Sequence, residues 1–324
     1  MATGGAGREG DAVEQRSFWA RGRVLAAFAV LTAGLLVFHR AVPNAVLGLG
    51  SLLEAFLPWL GLAVPVLLGL ALLRRSGLAL VALLLPVAAW AYAFGGLLLP
   101  AERSDADDLV VVQHNVSDEN PDPEGTARAL IEADPDLIAL EELVPPALSV
   151  YEETLAADYP HHVVEGTVGL WSKYPLSDAR MLDIAPGGIG EGWKRGLRAE
   201  VRAPQGEFAA YVAHLPSIRV RASGLAAAWR DESAGLLGKA VADEKLDRIV
   251  LMGDLNSTVD DRGLAPVTSR MNVAERGFAL SFPETFPVAR IDQVMARGAR
   301  VTDIRTLPAT PSDHLPVAAR VKLN

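Results

Sequence analysis

Hydrophobic positions divide the chain into two unlike parts. Up to about residue 100 they run almost unbroken from Trp19 to Phe38, from Phe56 to Leu73 and from Gly77 to Leu99. Each run approaches the roughly 20 residues a helix needs to cross a bilayer core. Leu78–Leu99 contains no charged residue, which disfavours buried helices of a soluble protein. A cleaved signal peptide would account for the first run alone; the two later runs would still anchor the chain. Pro58, Pro65 and Pro86 are tolerable in membrane helices whose neighbours satisfy the freed carbonyls. Ala41–Ala55 is expected to form a surface loop or interfacial helix, with Glu54 at the interface.

After residue 108 the apolar runs shorten and alternate with helix-like stretches. Strands are expected at Leu109–Asn115, Leu137–Glu142, Val168–Ser172, Leu197–Arg202, Glu207–His214, Arg248–Met252, Arg290–Met295 and Pro316–Val321. Helices are expected at Pro123–Ala133, Pro146–Ala157 and Ile218–Glu244, with Leu225, Trp229, Leu236 and Leu237 near one face of the last. A glycine-rich loop lies around Pro186–Gly192. The pattern suggests an α/β domain with much antiparallel sheet. The expected organisation is a tail (1–18), a membrane domain (19–99), a linker (100–108) and a catalytic domain (109–324).

Charge adds an orientation. Arg16, Arg21 and Arg23 adjoin the first run and Arg74–Arg75 separate the second from the third. Arg40 is the only basic residue between the first two, and Glu102, Asp105, Asp107 and Asp108 follow the third. The positive-inside bias then predicts a multi-pass plasma-membrane protein with a cytoplasmic N-terminus and, after three spans, an extracytoplasmic C-terminal domain. Residues 1–100 hold seven of the 30 basic and four of the 39 acidic residues, which leaves 101–324 with a net charge of −12. So acidic a domain gains little from the counterion release that drives nucleic-acid binding. The chain has no cysteine, which excludes disulfides, thiolate metal sites and a cysteine nucleophile.

The candidate chemistry sits at strand ends: Asn115, Glu141–Glu142, His214, Asp254, Asn256, Asp292 and Asp313–His314. Any one of these could be a turn former or a satisfied buried group. Together, on strands packed side by side, they could converge on one rim. Their oxygens suit a hard ion such as Mg²⁺ or Mn²⁺.

From Leu109 to Val321 the chain resembles the endonuclease/exonuclease/phosphatase superfamily of DNase I-like nucleases, inositol-phosphate phosphatases and neutral sphingomyelinases. The matching pieces are His114–Val116 (HNV), Asp136–Leu143 (DLIALEEL), Gly169–Leu176 (GLWSKYPL), Ala213–Leu215 (AHL), Gly253–Ser257 (GDLNS), Arg290–Val294 (RIDQV) and Ser312–Val317 (SDHLPV). The resemblance implies an α/β (α+β) four-layer sandwich of two packed β-sheets flanked by helices, with the site at one edge. It implies Glu142 as the principal Mg²⁺ ligand, helped by Asn115 and joined by Asp313. Asp254 would orient or deprotonate the attacking water, and Asn256 would hold a phosphoryl oxygen. His314, fixed by Asp292, would bind the phosphate, and His214 would contact the phosphate or assist the leaving oxygen.

Two departures stand out. The family's usual Gln-Glu is here Glu141-Glu142; motif alignment selects Glu142 as ligand, with Glu141 the alternative. After His214 comes Pro216-Ser217, with no clear asparagine match, which leaves leaving-group recognition open. Lys194, Arg195, Arg198, Arg219 and Arg221 are candidates for gripping a second phosphate or anionic headgroup, or else a solvated charged turn.

The linker can extend only about 3.5 Å per residue, which keeps the domain near the outer leaflet. The expected substrate is therefore a phosphoester or pyrophosphate on a lipid or envelope-linked molecule. Three spans before such a domain also look like the actinobacterial VanJ-type teicoplanin-resistance membrane proteins. That resemblance implies a polyprenyl-phosphate cell-wall intermediate and a role in glycopeptide resistance. A cell-surface nuclease and a catalytically inactive sensor module are the alternatives.

Overall fold

The computed structural model describes residues 22–45, 47–100, 108–221 and 224–323, with the side chains of 219–225 left out. The N-terminal tail and most of the linker lie outside the described residues. The chain divides into two compact units, Met1–Pro43 with Phe56–Gly96, and Asn44–Ala55 with Leu97–Asn324.

In the first unit, α1 (Arg23–Phe38) continues into a 3₁₀ turn, and α3 (Ala63–Leu73) follows the 3₁₀ segment Leu57–Leu62. α4 (Gly77–Ala82) and α5 (Leu84–Phe94) run on through a last turn to Leu98. Ser76 caps α4 by accepting from the Ala79 amide at 3.2 Å. Arg23–Ala41 and Gly77–Leu98 are long and apolar enough to cross a membrane. The second expected run, Phe56–Leu73, is less regular: its first part is the 3₁₀ segment Leu57–Leu62 and only Ala63–Leu73 is α-helix. Among the described residues, every large hydrophobic side chain that is substantially exposed lies between Val24 and Leu99, except Met181, Trp229 and Phe286.

The helix α2 (Leu49–Ala55) belongs to the second unit. Here the structure differs from the expected interfacial placement. Glu54 is fully buried. Its carboxylate accepts from the Arg262 backbone amide at 2.9 Å, from Nε at 2.8 Å and from Nη2 at 2.9 Å. The acid that interrupts the apolar pattern is thus a partner of Arg262, 208 residues further along the chain.

The second unit is a two-sheet sandwich. One sheet has six strands in the order β12 (Ala299–Thr306), β13 (Val317–Leu323), β1 (Leu109–Asn115), β2 (Leu137–Glu141), β4 (Val168–Ser172), β3 (His161–Glu165). The other has five, in the order β11 (Asp292–Arg297), β10 (Ile249–Asp254), β7 (Gly206–Ala213), β6 (Gly196–Ala203), β5 (Leu176–Met181). Strand alternation builds three apolar layers. Val111, Ala139, Val212, Val250 and Met252 meet between the sheets. Val112, Ile138 and Leu140 face outward onto α6 (Pro123–Ile131) and α7 (Ala147–Leu155). Tyr211, Ile249 and Leu251 face outward onto α8 (Ala228–Asp243). The four-layer sandwich expected from the motifs is what the chain forms.

The expected helix over Ile218–Glu244 is corrected. Its first part is a hairpin, β8 (Arg219–Arg221) paired with β9 (Gly224–Ala226), and the helix starts only at Ala228. Its buried face runs through Arg230, Ala234, Leu237 and Val241, so Trp229 points out, 46% exposed. A short helix, α9 (Ala265–Thr268), follows a 3₁₀ turn at Arg262–Leu264.

Candidate active site

β1 runs parallel to β2, and β7 parallel to β10. Their C-terminal ends therefore reach one rim, where the antiparallel β11 begins opposite β10 with Asp254 paired to Asp292. Asn115, Glu142, His214, Asp254, Asp292 and His314 arrive together on this rim.

Asp254 is the hub. Its Oδ2 accepts from Asn115 Nδ2 at 3.1 Å and from Asn256 Nδ2 at 3.2 Å, and its Oδ1 accepts from the Asn256 amide at 2.9 Å. His214 Nε2 lies 3.6 Å and His314 Nε2 3.8 Å from the same Oδ2. The turn that delivers these groups needs unusual backbone. Gly253 has φ +147, and a Cβ there would come within 1.9 Å of the Ala213 carbonyl, so no other residue fits without displacing β7.

Glu141 and Glu142 separate at the end of β2. Glu142 has φ +64, which breaks the strand and brings its carboxylate to the rim, where Oε1 accepts from Asn115 Nδ2 at 3.2 Å and lies 3.9 Å from His214 Nε2. Glu141 is fully buried and accepts from Gln113 Nε2 at 2.7 Å. Burial pushes its carboxyl well above the ordinary range, with Asp292 and Asp254 adding to the rise.

A second chain of contacts runs beneath the hub. Gln113 Nε2 also donates to Asp292 Oδ1 at 3.0 Å. Asp292 Oδ2 lies 2.8 Å from His314 Nδ1 and accepts from Ser281 Oγ at 2.5 Å. Burial opposes charge on His314, but Asp292 and Asp254 hold its pKa up to about 10, so the ring is an imidazolium at neutral pH. Asp292 is correspondingly held low: the His314 charge and hydrogen bond outweigh its burial. Asp254 is pushed up, by burial first and by Asp292 second, against the pull of His314.

His214 behaves in the opposite sense. Burial and then the Arg195 guanidinium hold it well below its usual value, so it is neutral. Arg195 Nη1 lies 3.2 Å from both ring nitrogens.

Of the other expected residues, Asp313 is exposed beside His314, whose charge it favours. Among the described residues, no hydrogen bond ties its carboxylate to the cluster. Lys194 is exposed. The side chains of Arg219 and Arg221 lie outside the described residues. Arg198 is corrected: it is buried and fully engaged, with Nε and Nη2 on Glu244 at 2.9 and 3.0 Å and Nη1 on Glu200 at 3.0 Å. With its side chain only 3% exposed, it is closed off from a ligand.

The sequence did not point to Gln113, Ser281 or Arg230. Arg230 donates to the Asn256 carbonyl at 3.2 Å and to Asp261 at 2.8 Å, so it holds the loop that carries Asn256. Ser312, in the SDHLPV stretch, ties two site residues together: its hydroxyl donates to the Asn115 carbonyl at 2.7 Å and accepts from the His314 amide at 3.1 Å.

The sequence profile of the Endonuclease/Exonuclease/phosphatase family matches residues 112–314, well over half of the chain. The chain belongs to that family. Its members are metal-dependent phosphoester hydrolases, and this chain is one. Three solved structures share the fold. TDP2 from D. rerio, complexed with a single-strand DNA product, is 14% identical over 67% of this chain and 100% of its own (TM-score 0.55). Sphingomyelinase C from Streptomyces griseocarneus is 17% identical over 67% and 99% (TM-score 0.50). A beta toxin variant from Staphylococcus aureus with bound magnesium ions is 13% identical over 67% and 100% (TM-score 0.51). No curated protein matches the chain.

The donor set fits a divalent cation. Asp254, Asp292 and His314 bring possible ligand atoms within 4.8 Å of one another, but Asp292 and His314 already neutralise each other. Glu142 is the better anchor: its carboxylate stands on the rim 3.2 Å from the Asn115 side-chain amide, which also donates to Asp254, so a cation there would meet hard ligands beside the hub.

Proposed function

We propose that the chain is a membrane-anchored, extracytoplasmic Mg²⁺-dependent phosphoesterase whose substrate is a phosphoester or pyrophosphate on a lipid or envelope-linked molecule. The observation that carries the reaction is the Asp254 hub, contacted by two amides and approached by two histidines of opposite charge state. Glu142 and Asn115, with Asp313 nearby, would hold the cation. Bound there, it would supply charge neutralisation at a phosphoryl oxygen.

The remaining steps belong to the chain's own groups. Asp254, held in orientation by Asn115 and Asn256, takes the proton of the attacking water. Asn256 Nδ2 already donates to Asp254 Oδ2 and to the Leu215 carbonyl, so it would reach a phosphoryl oxygen by exchanging one of these bonds. The His314 imidazolium, fixed by Asp292 and Ser281, donates to another and offsets the charge that grows in the transition state. His214 is neutral and pinned by Arg195, so the positive charge near the leaving oxygen is the guanidinium. This modifies the expected role of His214.

The membrane half rests on Arg23–Ala41 and Gly77–Leu98, long and apolar enough to cross a membrane, and on the exposed large hydrophobic side chains gathered between Val24 and Leu99. The Glu54–Arg262 pair supports an odd number of crossings before the domain. It joins the segment after the first run to the domain after the third, so both lie on one side of the bilayer. Three spans satisfy this, with the N-terminus in the cytoplasm. A polyprenyl-phosphate intermediate of the cell wall, and with it a part in glycopeptide resistance, is the narrower form of the proposal.

A nuclease is the second reading, favoured by the TDP2 likeness with its single-strand DNA product and opposed by the domain's acidity. Wild type and Asp254→Ala in detergent with Mg²⁺ should be compared on lipid phosphates, nucleotides and nicked plasmid. The proposal expects Asp254-dependent turnover of the lipid phosphates. Faster turnover of DNA would replace it with the nuclease, and no turnover of any ester would favour an inactive module.

A further inference from the structure

A cavity of about 450 Å³ opens beside the reaction centre. Its apolar walls include Ile189, Trp193, Pro216 and Trp229, and its polar ones Arg195 and Ser217. Arg195 connects the two places. Its Nη1 is 3.2 Å from the His214 ring, and its guanidinium carbon lies 5.5 Å from the centre of the Trp193 ring.

Three features set this cavity apart from a surface dent. Trp229 is one of only three large hydrophobic side chains substantially exposed beyond residue 99 among the described residues. It leaves the buried face of α8 to stand on the cavity wall. The loop carrying Ile189 is bare backbone around it: Gly188 and Gly190 have φ +75 and +111, and a Cβ at either would meet nothing. Finally, the cation at the inner end is held in place by His214, which itself lies 3.6 Å from Asp254.

We propose that this cavity is the leaving-group subsite and receives a hydrocarbon chain, with Trp193 and Trp229 against the chain and Arg195 facing the leaving oxygen. The inference rests on the phosphoesterase reading above and names the part of the substrate that reading leaves open. In the step it serves, the water oxygen bonds to phosphorus and one water proton passes to Asp254. The phosphorus–oxygen bond to the leaving group breaks, and its electron pair stays on the oxygen beside Arg195. An isolated aromatic cleft could equally stack a sugar. Committing to a chain follows from the described side chains of the wall: Ile189, Pro216 and the two indoles offer apolar area, with Ser217 and Arg195 the only polar side chains among the described lining residues. Apolar contact grows with each buried methylene, so a longer chain is held more tightly.

Two measurements on the full-length protein in lipid nanodiscs with Mg²⁺ test this. In the first, butyl phosphate, dodecyl phosphate and glucose 1-phosphate compete against hydrolysis of a 4-nitrophenyl phosphate ester. Dodecyl phosphate is expected to compete at least tenfold more tightly than butyl phosphate. That ratio should collapse towards one in Trp193→Ala/Trp229→Ala, and move the same way in Trp229→Ala, whose side chain is half-exposed and not needed by the core. An unchanged ratio in both variants, or a wild type blind to chain length, overturns the subsite. Glucose 1-phosphate competing as well as dodecyl phosphate overturns the choice of a chain. The second measurement needs no turnover. 12-Bromododecyl phosphate should quench tryptophan fluorescence saturably, be displaced by dodecyl but not butyl phosphate, and lose the saturable part in the double variant. If no ester is hydrolysed yet this quenching holds, the hydrolase reading fails while the chain subsite stands. If hydrolysis holds and the quenching is non-saturable, the subsite alone is lost.

Discussion

Glu141 and Glu142 are adjacent, chemically identical, and placed in different environments by one backbone dihedral. The left-handed φ of Glu142 turns it out to Asn115 and His214, while Glu141 stays in the ladder and is buried against Gln113. A buried carboxyl held far above its usual range is neutral, and a neutral carboxyl is close to an amide in shape and hydrogen bonding. Glu141→Gln is therefore expected to keep kcat/KM within a few-fold. Glu142→Gln should lower it by about 10²–10³, as losing a transition-state electrostatic contact does, and should raise the Mg²⁺ concentration needed for half-activity. Steady-state kinetics with metal titration decides; the reverse order would make Glu141 the ligand. His314 gives a second test at this scale. Its folded pKa is raised, so the protonated ring stabilises the fold fully below its unfolded value of about 6.5. That stabilisation is lost as pH rises towards about 10. Wild type should lose stability across this window in urea unfolding. His314→Gln should be flatter there, and equal slopes would show that the ring is not charged in the fold.

At the scale of elements, legibility followed burial. The central strands β1 and β4 were readable to the residue because both of their faces are covered. Besides the β8–β9 hairpin, the strands that escaped notice, β3, β5 and β12, are all edges of the two large sheets. β5 carries Asp178 and Arg180 in a largely exposed run, so its pattern resembles a loop. The site was legible where motifs ended strands, and opaque where support came from distant chain. Ser281 and Arg230 act through contacts 11 and 26 residues away, with no local signature. The α2 helix is the clearest case. Glu54 appeared as an interfacial acid because its partner is 208 residues on. Removing one member of a buried ion pair costs about 3–5 kcal/mol, because the other is stranded. Arg262 is only partly buried (side chain 25% exposed), so Glu54→Ala should sit near the lower end. The paired change Glu54→Leu with Arg262→Met should recover much of the loss. Thermal unfolding in detergent would show it. Arg262 neighbours Asp261, which holds Arg230 and through it the Asn256 carbonyl. The same variant should thus also lower kcat; normal kcat in a destabilised protein would confine Glu54 to stability.

For the whole molecule, the decisive relation is between charge, crossings and that ion pair. In the proposed topology, charge bias assigns Arg74–Arg75 to the cytoplasm. The Glu54–Arg262 bond adds a constraint of another kind. Residues 44–55 and the catalytic domain belong to one compact unit, and no bilayer can pass between them. The segment from Phe56 to Leu98 must then cross an even number of times, twice or not at all. Two crossings put the Arg74–Arg75 turn on the opposite face from Ala45 and Glu132; none puts all three on one face. The absence of cysteine makes this directly measurable, since each single cysteine is the only thiol in the chain. Ala45→Cys, Arg74→Cys and Glu132→Cys all fall at exposed positions. With a membrane-impermeant maleimide on intact cells, Ala45→Cys and Glu132→Cys should label at once, and Arg74→Cys only after permeabilisation. Labelling of Arg74→Cys alone would invert the topology. Equal labelling of all three would leave the Leu57–Leu73 segment and its partner on the outer surface. Different fates for Ala45→Cys and Glu132→Cys would rule out the Glu54–Arg262 pair itself.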